Sequence, residues 1–300
     1  MAKKTRRRIC GTMSVHHRLL ETDPSFRRRQ MELESATARR MMTRAVARPG
    51  ITTIPVVVHV IYSKAAENIS LAQIKSQITV LNRDYRATNP DRSKVPNVWN
   101  GLVADARVRF ALAKKDPKGK STSGITRTKT TRTSFGDDDS VKFASKGGAD
   151  AWNIQKYLNI WVCTLAGGLL GYAQFPGGPK KTDGVVILNT AFGTIGTASP
   201  PFHRGRTSTH EIGHWLNLRH IWGDTEDCSG SDLVADTPNA AGPNYQKPTF
   251  PHVSCHNGPN GDMFMNYMDY VDDDSMFLFT TQQVARMQTA LDGPRHLMGV

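Results

Sequence analysis

The sequence predicts an α+β fold whose N-terminal part is of the α/β type, with strands and helices alternating along the chain. Two apolar, largely β-branched runs, Ile54–Tyr62 and Tyr157–Cys163, indicate central strands that are buried on both faces. A later stretch, from about Gly205 to Leu216, has the pattern of a helix and contains histidines. The 300 residues are enough for one large domain or two small ones.

The other elements follow from periodicity and turn signals. Helical spacing, with capping-box pairs at two of the starts, predicts helices within 13–44 and over 70–86 and 280–291. Alternating or continuous apolar character predicts further strands over 108–112, 169–175 and 183–189. The polar stretch 116–134 and the acidic run Asp137–Asp139 are expected to be surface loops. We expect 169–175 to be an exposed sheet edge, where an extended peptide can add by main-chain hydrogen bonds; an internal strand is the alternative.

The most informative stretch is H-E-I-G-H at residues 210–214. In a helix, His210 and His214 lie at positions i and i+4 on one face, and Glu211 lies beside them. This is the H-E-x-x-H zinc signature, which supplies two imidazole ligands and a general base.

Catalytic zinc sites have three protein ligands and keep a fourth position open for water, so a third ligand is needed. His220 is the candidate. It lies six residues after His214, about one and two-thirds turns of a helix, so the chain must turn sharply between them. Asn217 is the predicted pivot, because asparagine adopts the left-handed conformation that ends a helix more readily than most residues. The alternative is a surface helix with unrelated histidines, and the third histidine at this offset argues against it.

The positive charge of the chain is concentrated at its N-terminus. Of the formal net charge of +13, residues 1–50 contribute +9, from 13 lysines and arginines and 4 acidic residues. Such a segment could be a nucleic-acid or membrane tail, a disordered arm or a protease pro-segment. The first interpretation lacks support, because the segment has neither interleaved aromatic residues nor a binding motif.

Cys10 favours the pro-segment interpretation. A thiolate is a good zinc ligand, so a cysteine from a pro-segment could fill the open position of the metal and displace the water. An incidental cysteine is the alternative. The stretches Arg39–Arg40 and Arg44–Gly50 would then form the exposed, cleavable connection to the mature enzyme. No apolar h-region follows the basic start, so export would use another route, or a leader has already been removed.

Several motifs together carry a family resemblance. The zinc motif resembles that of the metzincin metalloproteases, with Asn217 where their pattern has glycine. Arg8-x-Cys10-Gly-Thr and five later segments narrow the resemblance to the ulilysin-like (cytophagalysin) branch of the pappalysin family. These segments are Gly171–Ala173, Gly205–Thr207, Ile221–Asp224, Asp236–Pro238 and Asn266–Tyr270.

The resemblance implies the metzincin fold and a two-part chain. In that fold, a twisted, mostly parallel sheet with an antiparallel edge strand packs on the zinc-binding helix. An irregular C-terminal subdomain with a Met-turn and a terminal helix follows. Residues 1–50 would be a basic pro-segment with a cysteine switch, and residues 51–300 the catalytic domain, divided into 51–217 and 218–300.

The resemblance also assigns roles to individual residues. It implies that His210, His214 and His220 bind zinc, that Cys10 binds it in the latent form, and that Glu211 is the general base. Met268 would form the apolar floor below the zinc, and Tyr270 would bind the metal or stabilise the transition state. It further implies a calcium site, a specificity residue and a disulfide. The calcium ligands would be Asp224, Asp227, Asp236 and Thr237. Asp274 would bind the basic side chain that follows the scissile bond, and Cys228 would form the disulfide with Cys255.

The sequence therefore predicts a zinc-dependent endopeptidase that is made as a zymogen and hydrolyses proteins or peptides, with a preference for Arg or Lys after the scissile bond. It is expected to be a secreted monomer that does not bind nucleic acid. No membrane association is expected either, since no apolar run approaches the ~18–20 residues of a membrane span. The alternative is a non-enzymatic, zinc-stabilised binding module whose basic arm binds nucleic acid. Glu211 argues against this alternative, because a structural zinc site needs no general base.

Overall fold

The fold centres on one mixed sheet, seen in a computed structural model that describes residues 6–43, 48 and 50–299. Its six strands are β1 (Thr52–Tyr62), β2 (Val108–Leu112), β3 (Ile125–Lys129), β4 (Leu158–Cys163), β5 (Gly171–Ala173) and β6 (Val185–Leu188). The order is β2-β1-β4-β6-β5, and β3 pairs with the second half of β1. All pairs are parallel except that of β5 with β6, so the predicted mostly parallel sheet with an antiparallel edge strand is confirmed.

The prediction of a loop over 116–134 was wrong, because β3 lies within it. Its residues are half-buried or exposed, with polar side chains at most positions. Val58–Tyr62 of β1 align with Ile125–Lys129 in parallel register, so main-chain pairing holds this strand. Strands of this kind carry no apolar pattern that a sequence reading could detect.

The helices are α1 (Thr12–Thr22), α2 (Pro24–Thr43), α3 (Leu71–Asp84), α4 (Asn97–Asn100), α5 (Arg206–Trp215) and α6 (Thr281–Asp292). The predicted capping box is complete at Thr280, whose side chain accepts from the N–H of Gln283 and whose own N–H donates to the Gln283 side chain. At Ser70 only the first half forms: its side chain accepts from the N–H of Gln73, and the Gln73 side chain donates to the carbonyls of Asn189 and Phe192 instead. The predicted N-terminal helical segment consists of two helices. Oδ1 of Asp23 accepts N–H bonds from Ser25 and Phe26, which begins α2 separately.

The C-terminal part has little regular structure before α6. It contains a short parallel pair, β7 (Tyr245–Gln246) and β8 (Tyr270–Val271), and the predicted disulfide between Cys228 and Cys255. Cys163, in contrast, is a buried free thiol in β4. Among the residues that the structure describes, no helix is both long and apolar enough to cross a membrane.

The acidic run Asp137–Asp139 is not entirely the surface loop that was expected. Asp138 is exposed, but Asp139 is buried. Its carboxylate lies 2.7 Å from Nζ of the buried Lys142 and 2.7 Å from Nη2 of Arg18 in α1. The run therefore anchors the N-terminal helices, a contact between distant segments that its composition does not reveal.

Candidate metal centre and active site

Three histidines converge at the C-terminal end of α5. His210 and His214 lie on one face of this helix, and all three imidazoles are buried. Asn217 has a φ of +74°, the left-handed conformation predicted for the pivot. The N–H of Leu218 bonds back to the carbonyl of Gly213 at 2.9 Å, which closes the turn and directs His220 toward the other two histidines.

The three imidazoles present their Nε2 atoms to a common point. The distances between these atoms are 3.2, 3.1 and 3.3 Å. Each Nδ1 faces an oxygen that can only accept, so it carries the ring proton. The acceptor is the carbonyl of Tyr267 for His210 (2.8 Å) and the carbonyl of Leu218 for His214 (2.7 Å). For His220 it is Oδ1 of Asp224 (2.5 Å). The Nε2 lone pairs therefore point toward one another. Two nitrogens that each bind a tetrahedral zinc at about 2.0–2.1 Å would be roughly 3.3 Å apart, so the observed distances between the Nε2 atoms suit a shared zinc ion.

Burial also keeps the two histidines of α5 in the form that binds metal. It lowers the pKa of His210 and His214 well below the usual value, and the neighbouring imidazoles add to this effect. Sγ of Cys10 completes the group, with all four donor atoms within 4.8 Å of one another. Burial raises the pKa of the Cys10 thiol well above its usual value, so it would lose its proton only to a bound metal. A cysteine deprotonated in this way and three neutral imidazoles are a donor set that suits zinc.

Glu211 lies beside this group and is in contact with the N-terminal segment. Its Oε2 accepts a hydrogen bond from Oγ1 of Thr12 at 2.8 Å and one from Sγ of Cys10 at 3.4 Å. Burial raises the pKa of Glu211 to about 7, against the effect of these hydrogen bonds. A Cβ on Gly171 would meet Cγ of Glu211 at 2.9 Å, so glycine lets the carboxylate approach the edge strand.

Met268 and Tyr270 lie close to the imidazoles. Met268 is fully buried, and a Cβ on Gly213 would come within 2.5 Å of its sulfur, so the methionine packs directly under the histidine helix. The half-buried ring of Tyr270 lies 4.9 Å from that of His220 and 5.8 Å from that of His210. Met268 and Tyr270, the two residues of the predicted Met-turn, thus both lie next to the histidines.

The N-terminal segment occupies the edge of the sheet as an added strand. Cys10 forms a parallel bridge with Gly171 of β5. The N–H of Leu170 donates to the carbonyl of Ile9, and the N–H of Gly11 donates to the carbonyl of Gly171, both at 2.9 Å. Within the predicted stretch 169–175, β5 is thus the last strand of the sheet order, as expected for an edge, and residues 9–11 cover this edge.

Arg8 fills a buried position at one end of this added strand. Its Nη2 donates to Oδ1 of Asp273 at 2.7 Å, and its Nη1 donates to Oγ1 of Thr207 at 3.0 Å. Oδ2 of Asp273 accepts N–H bonds from Arg204 and Arg206 at the start of α5. Sequence reasoning missed this role of Asp273, because nothing in a run of three aspartates shows which one turns inward.

Asp274, the predicted specificity residue, points elsewhere. Its Oδ2 lies 2.5 Å from Nζ of Lys247, and the lysine side chain is exposed. The residue next to it in sequence, Asp273, is fully buried and contacts the arginine of the N-terminal segment.

The predicted calcium ligands each have a separate partner. Asp224 accepts from His220, and Asp227 accepts from the N–H and hydroxyl of Ser229. Asp236 caps α6 by accepting from Thr280 and Gln282, while Thr237 donates to Asp232. In the described part of the chain, the group of side chains that converges as a metal site is Cys10 with the three histidines.

Sequence and structure comparisons identify related proteins. Residues 143–292 match the family model Peptidase_M43, described as pregnancy-associated plasma protein-A. An extracellular metalloprotease of Pyricularia oryzae is 32% identical over 253 residues, which is 81% of this chain and 76% of that protein. A promirolysin mutant of Tannerella forsythia has a TM-score of 0.88 and 45% identity over 97% of both chains. Mature mirolysin of Tannerella forsythia with a cleaved peptide has a TM-score of 0.83 and 51% identity over 84% of this chain and 97% of that one.

Proposed function

Because the chain belongs to the peptidase M43 (pappalysin) family of zinc metalloproteases, we propose that His210, His214 and His220 hold the catalytic zinc and that Glu211 is the general base. The observation that carries this proposal is the convergence of three Nε2 lone pairs, with each Nδ1 proton bonded to an oxygen. The family and its relatives make the chain a metalloendopeptidase that acts on proteins or peptides.

The chemistry proposed for the site is hydrolysis of a peptide bond by an activated water. Bound zinc lowers the pKa of a water to about 7 and polarises the scissile carbonyl. Glu211 takes the proton of the attacking water on a carboxylate oxygen and passes it to the leaving nitrogen. Tyr270 is positioned at the rings of His210 and His220, where its hydroxyl can donate a hydrogen bond to the oxyanion.

Residues 1–50 are proposed to be the pro-segment, and residues 51–300 the catalytic domain. Cys10 supplies the fourth donor in place of water, and Thr12 occupies the carboxylate of the base. The positive charge of the segment has acidic partners on the catalytic domain. These pairs are Arg8–Asp273, Arg18–Asp139 and Arg40–Asp292. This pairing favours a pro-segment over a nucleic-acid-binding arm. Part of the proposed cleavable connection, Arg44–Ala47 and Pro49, lies outside the described residues.

The pocket that holds Arg8 is proposed to accept the Arg or Lys side chain that follows the scissile bond. A buried carboxylate at the end of a pocket favours a cationic side chain, and Asp273 supplies it here. Asp273 also accepts two N–H groups at the start of α5, which fix its orientation next to the zinc helix. Asp274 remains the prediction from the family pattern, and its pair with Lys247 favours Asp273 for this role.

Secretion and calcium binding complete the proposal. Curated relatives carry the name extracellular metalloprotease, and the disulfide between Cys228 and Cys255 suits an oxidising compartment. Calcium is proposed to bind in the acidic loop that contains Asp224, Asp227, Asp236 and Thr237. Hard oxygen donors suit this ion, and the loop would have to rearrange to gather them. A monomer is expected.

The test is cleavage of casein by the full chain with zinc, next to Glu211→Ala and Cys10→Ala. Glu211→Ala should fold and retain zinc but lose cleavage, because it keeps the imidazoles and removes the base. Cys10→Ala should lose its pro-segment faster, because water gains access to the metal. Mass spectrometry of the self-cleaved chain should show new N-termini at Arg or Lys. Wild-type cleavage by Glu211→Ala would refute the assigned base, and unchanged latency of Cys10→Ala would refute the switch.

A further inference from the structure

Three side chains of the catalytic domain surround the carboxylate of Glu34, which belongs to α2 of the pro-segment. Arg286 in α6 donates Nη1 to Oε2 at 2.9 Å and Nη2 to Oε1 at 2.7 Å. Nδ2 of Asn217 donates to Oε1 at 3.3 Å, and Nη2 of Arg219 lies 3.9 Å from the same oxygen. A planar carboxylate is thus held by both arms of a guanidinium fork and by two further cationic or amide groups.

The surrounding residues are held in place by the catalytic domain itself. Arg286 and Asn217 each have an exposure of 1% with α2 in place. Nε of Arg286 donates to the main-chain carbonyl of Asn217 at 3.1 Å, which fixes the orientation of the guanidinium. Within the part of the chain that the structure describes, the buried Nε of Arg219 has no hydrogen-bond partner. The groups that face Glu34 therefore all belong to the catalytic domain, and one of them is oriented by a bond within that domain, while Glu34 is their occupant.

The nearest acidic groups of the catalytic domain already have other partners. Asp224 is bonded to Nδ1 of His220, and Asp232 accepts the hydroxyl of Thr237. Removal of Glu34 would therefore leave a buried guanidinium without its bidentate partner, which is an unfavourable state. An external anion of the same shape would relieve it.

We propose that Arg286, Asn217 and Arg219 form a carboxylate-binding site, which Glu34 fills in the latent chain and which an external carboxylate fills once the pro-segment has left. The proposal rests on the proposed function only in treating residues 1–50 as a removable pro-segment. Asn217 is the left-handed turn between His214 and His220, so a carboxylate bound here stabilises the turn that carries the third imidazole.

The test measures thermal unfolding of the full chain with Glu34→Ala, in chloride and in acetate at equal ionic strength. All proteins carry Glu211→Gln so that they stay intact. Glu34→Ala should lower the midpoint by about 4 °C or more, and acetate should restore it in a dose-dependent way. The unaltered chain should not respond, because Glu34 fills its site. Glu32→Ala is the matched control, since Glu32 is exposed on the same helix and its ion pair within the described residues is with Arg28 at 3.8 Å.

Two further arms identify the ligand and guard against misfolding. N-acetylglutamate amide should stabilise Glu34→Ala like acetate if a side-chain carboxylate is the ligand, and sulfate should stabilise it less, because the donors match a planar anion. Glu34→Gln, which preserves the shape, should respond to acetate more weakly. An acetate effect no larger than that of chloride, or an equal effect in Glu32→Ala, would overturn the proposal. Because no arm depends on hydrolysis, a negative result here leaves the proposed protease activity untested and intact.

Discussion

Gly213→Ala is expected to destabilise the metal centre, although alanine is the better helix former. Gly213 lies inside α5 between His210 and His214, where alanine alone would contribute about 0.8–1 kcal/mol. The added Cβ, however, would lie 2.5 Å from the sulfur of Met268 and 3.3 Å from its terminal methyl, against a favourable separation of about 3.5–4.0 Å. Overpacking of this kind costs about 1–3 kcal/mol.

The overlap should win because Met268 cannot move away. It is fully buried, and its N–H is bonded to Oδ1 of Asn266 at 2.9 Å. A separation of 2.5 Å places the cost in the upper half of that range, about 2–3 kcal/mol, so the net loss should be about 1–2 kcal/mol, or roughly 2–8 °C in Tm. Zinc should also be retained more weakly during dialysis against a chelator. Gly242→Ala is the control, because the nearest atom to its Cβ would be 3.8 Å away, in ordinary contact. A Gly213→Ala protein as stable as the unaltered chain would refute the tight contact between the methionine and the zinc helix.

Three further predictions concern the disulfide and the pro-segment. Replacing Cys228 and Cys255 together by serine should cost roughly 3–4 kcal/mol in the free energy of unfolding, since the bridge closes a separation of 27 residues, and denaturant titration measures this. Lowering the pH from 6.5 toward 4 should loosen the pro-segment, because burial lowers the pKa of His16 to about 4. The preference of the folded chain for neutral His16 contributes roughly 3 kcal/mol to the free energy of unfolding; this contribution is fully present above pH 6.5 and is lost as the pH falls through 4. His16→Gln should therefore flatten the pH profile of Tm. Thr12→Val removes the donor to Glu211 and should increase residual activity of the intact zymogen toward a peptide substrate; no increase would show that Cys10 suffices.

The convergence of the three proposed zinc ligands could be predicted from the sequence because their geometry is local. His210 and His214 are one helical turn apart, and the turn at Asn217 follows from the conformational freedom of asparagine. The buried strands β1 and β4 were predictable for a related reason, since continuous apolar runs report burial on both faces. The disulfide required the family resemblance, because cysteine spacing alone does not give a pairing.

What the sequence could not supply are contacts between distant segments. The partner of Arg8 is Asp273, which is 265 positions away, and the neighbouring Asp274 fits the sequence pattern equally well. The inward turn of Asp139 and the main-chain pairing of β3 escaped prediction for the same reason, because both depend on partners brought together by folding. The acidic residues of the loop after His220 have the composition of a calcium site, while their observed partners are separate.

The uneven charge of the chain and the proposed specificity have one physical origin. The cationic residues of the proposed pro-segment are matched by carboxylates of the catalytic domain, and Asp273 among them lies at the start of α5. A carboxylate that holds Arg8 in the latent chain keeps its main-chain donors but loses its cationic partner when the segment leaves, and such a group favours a new cationic partner. The proposed preference for Arg or Lys is therefore the consequence of removing Arg8. Replacing Asp273 by asparagine should weaken both latency and the preference for basic residues, and loss of only one of them would show that the two depend on different groups.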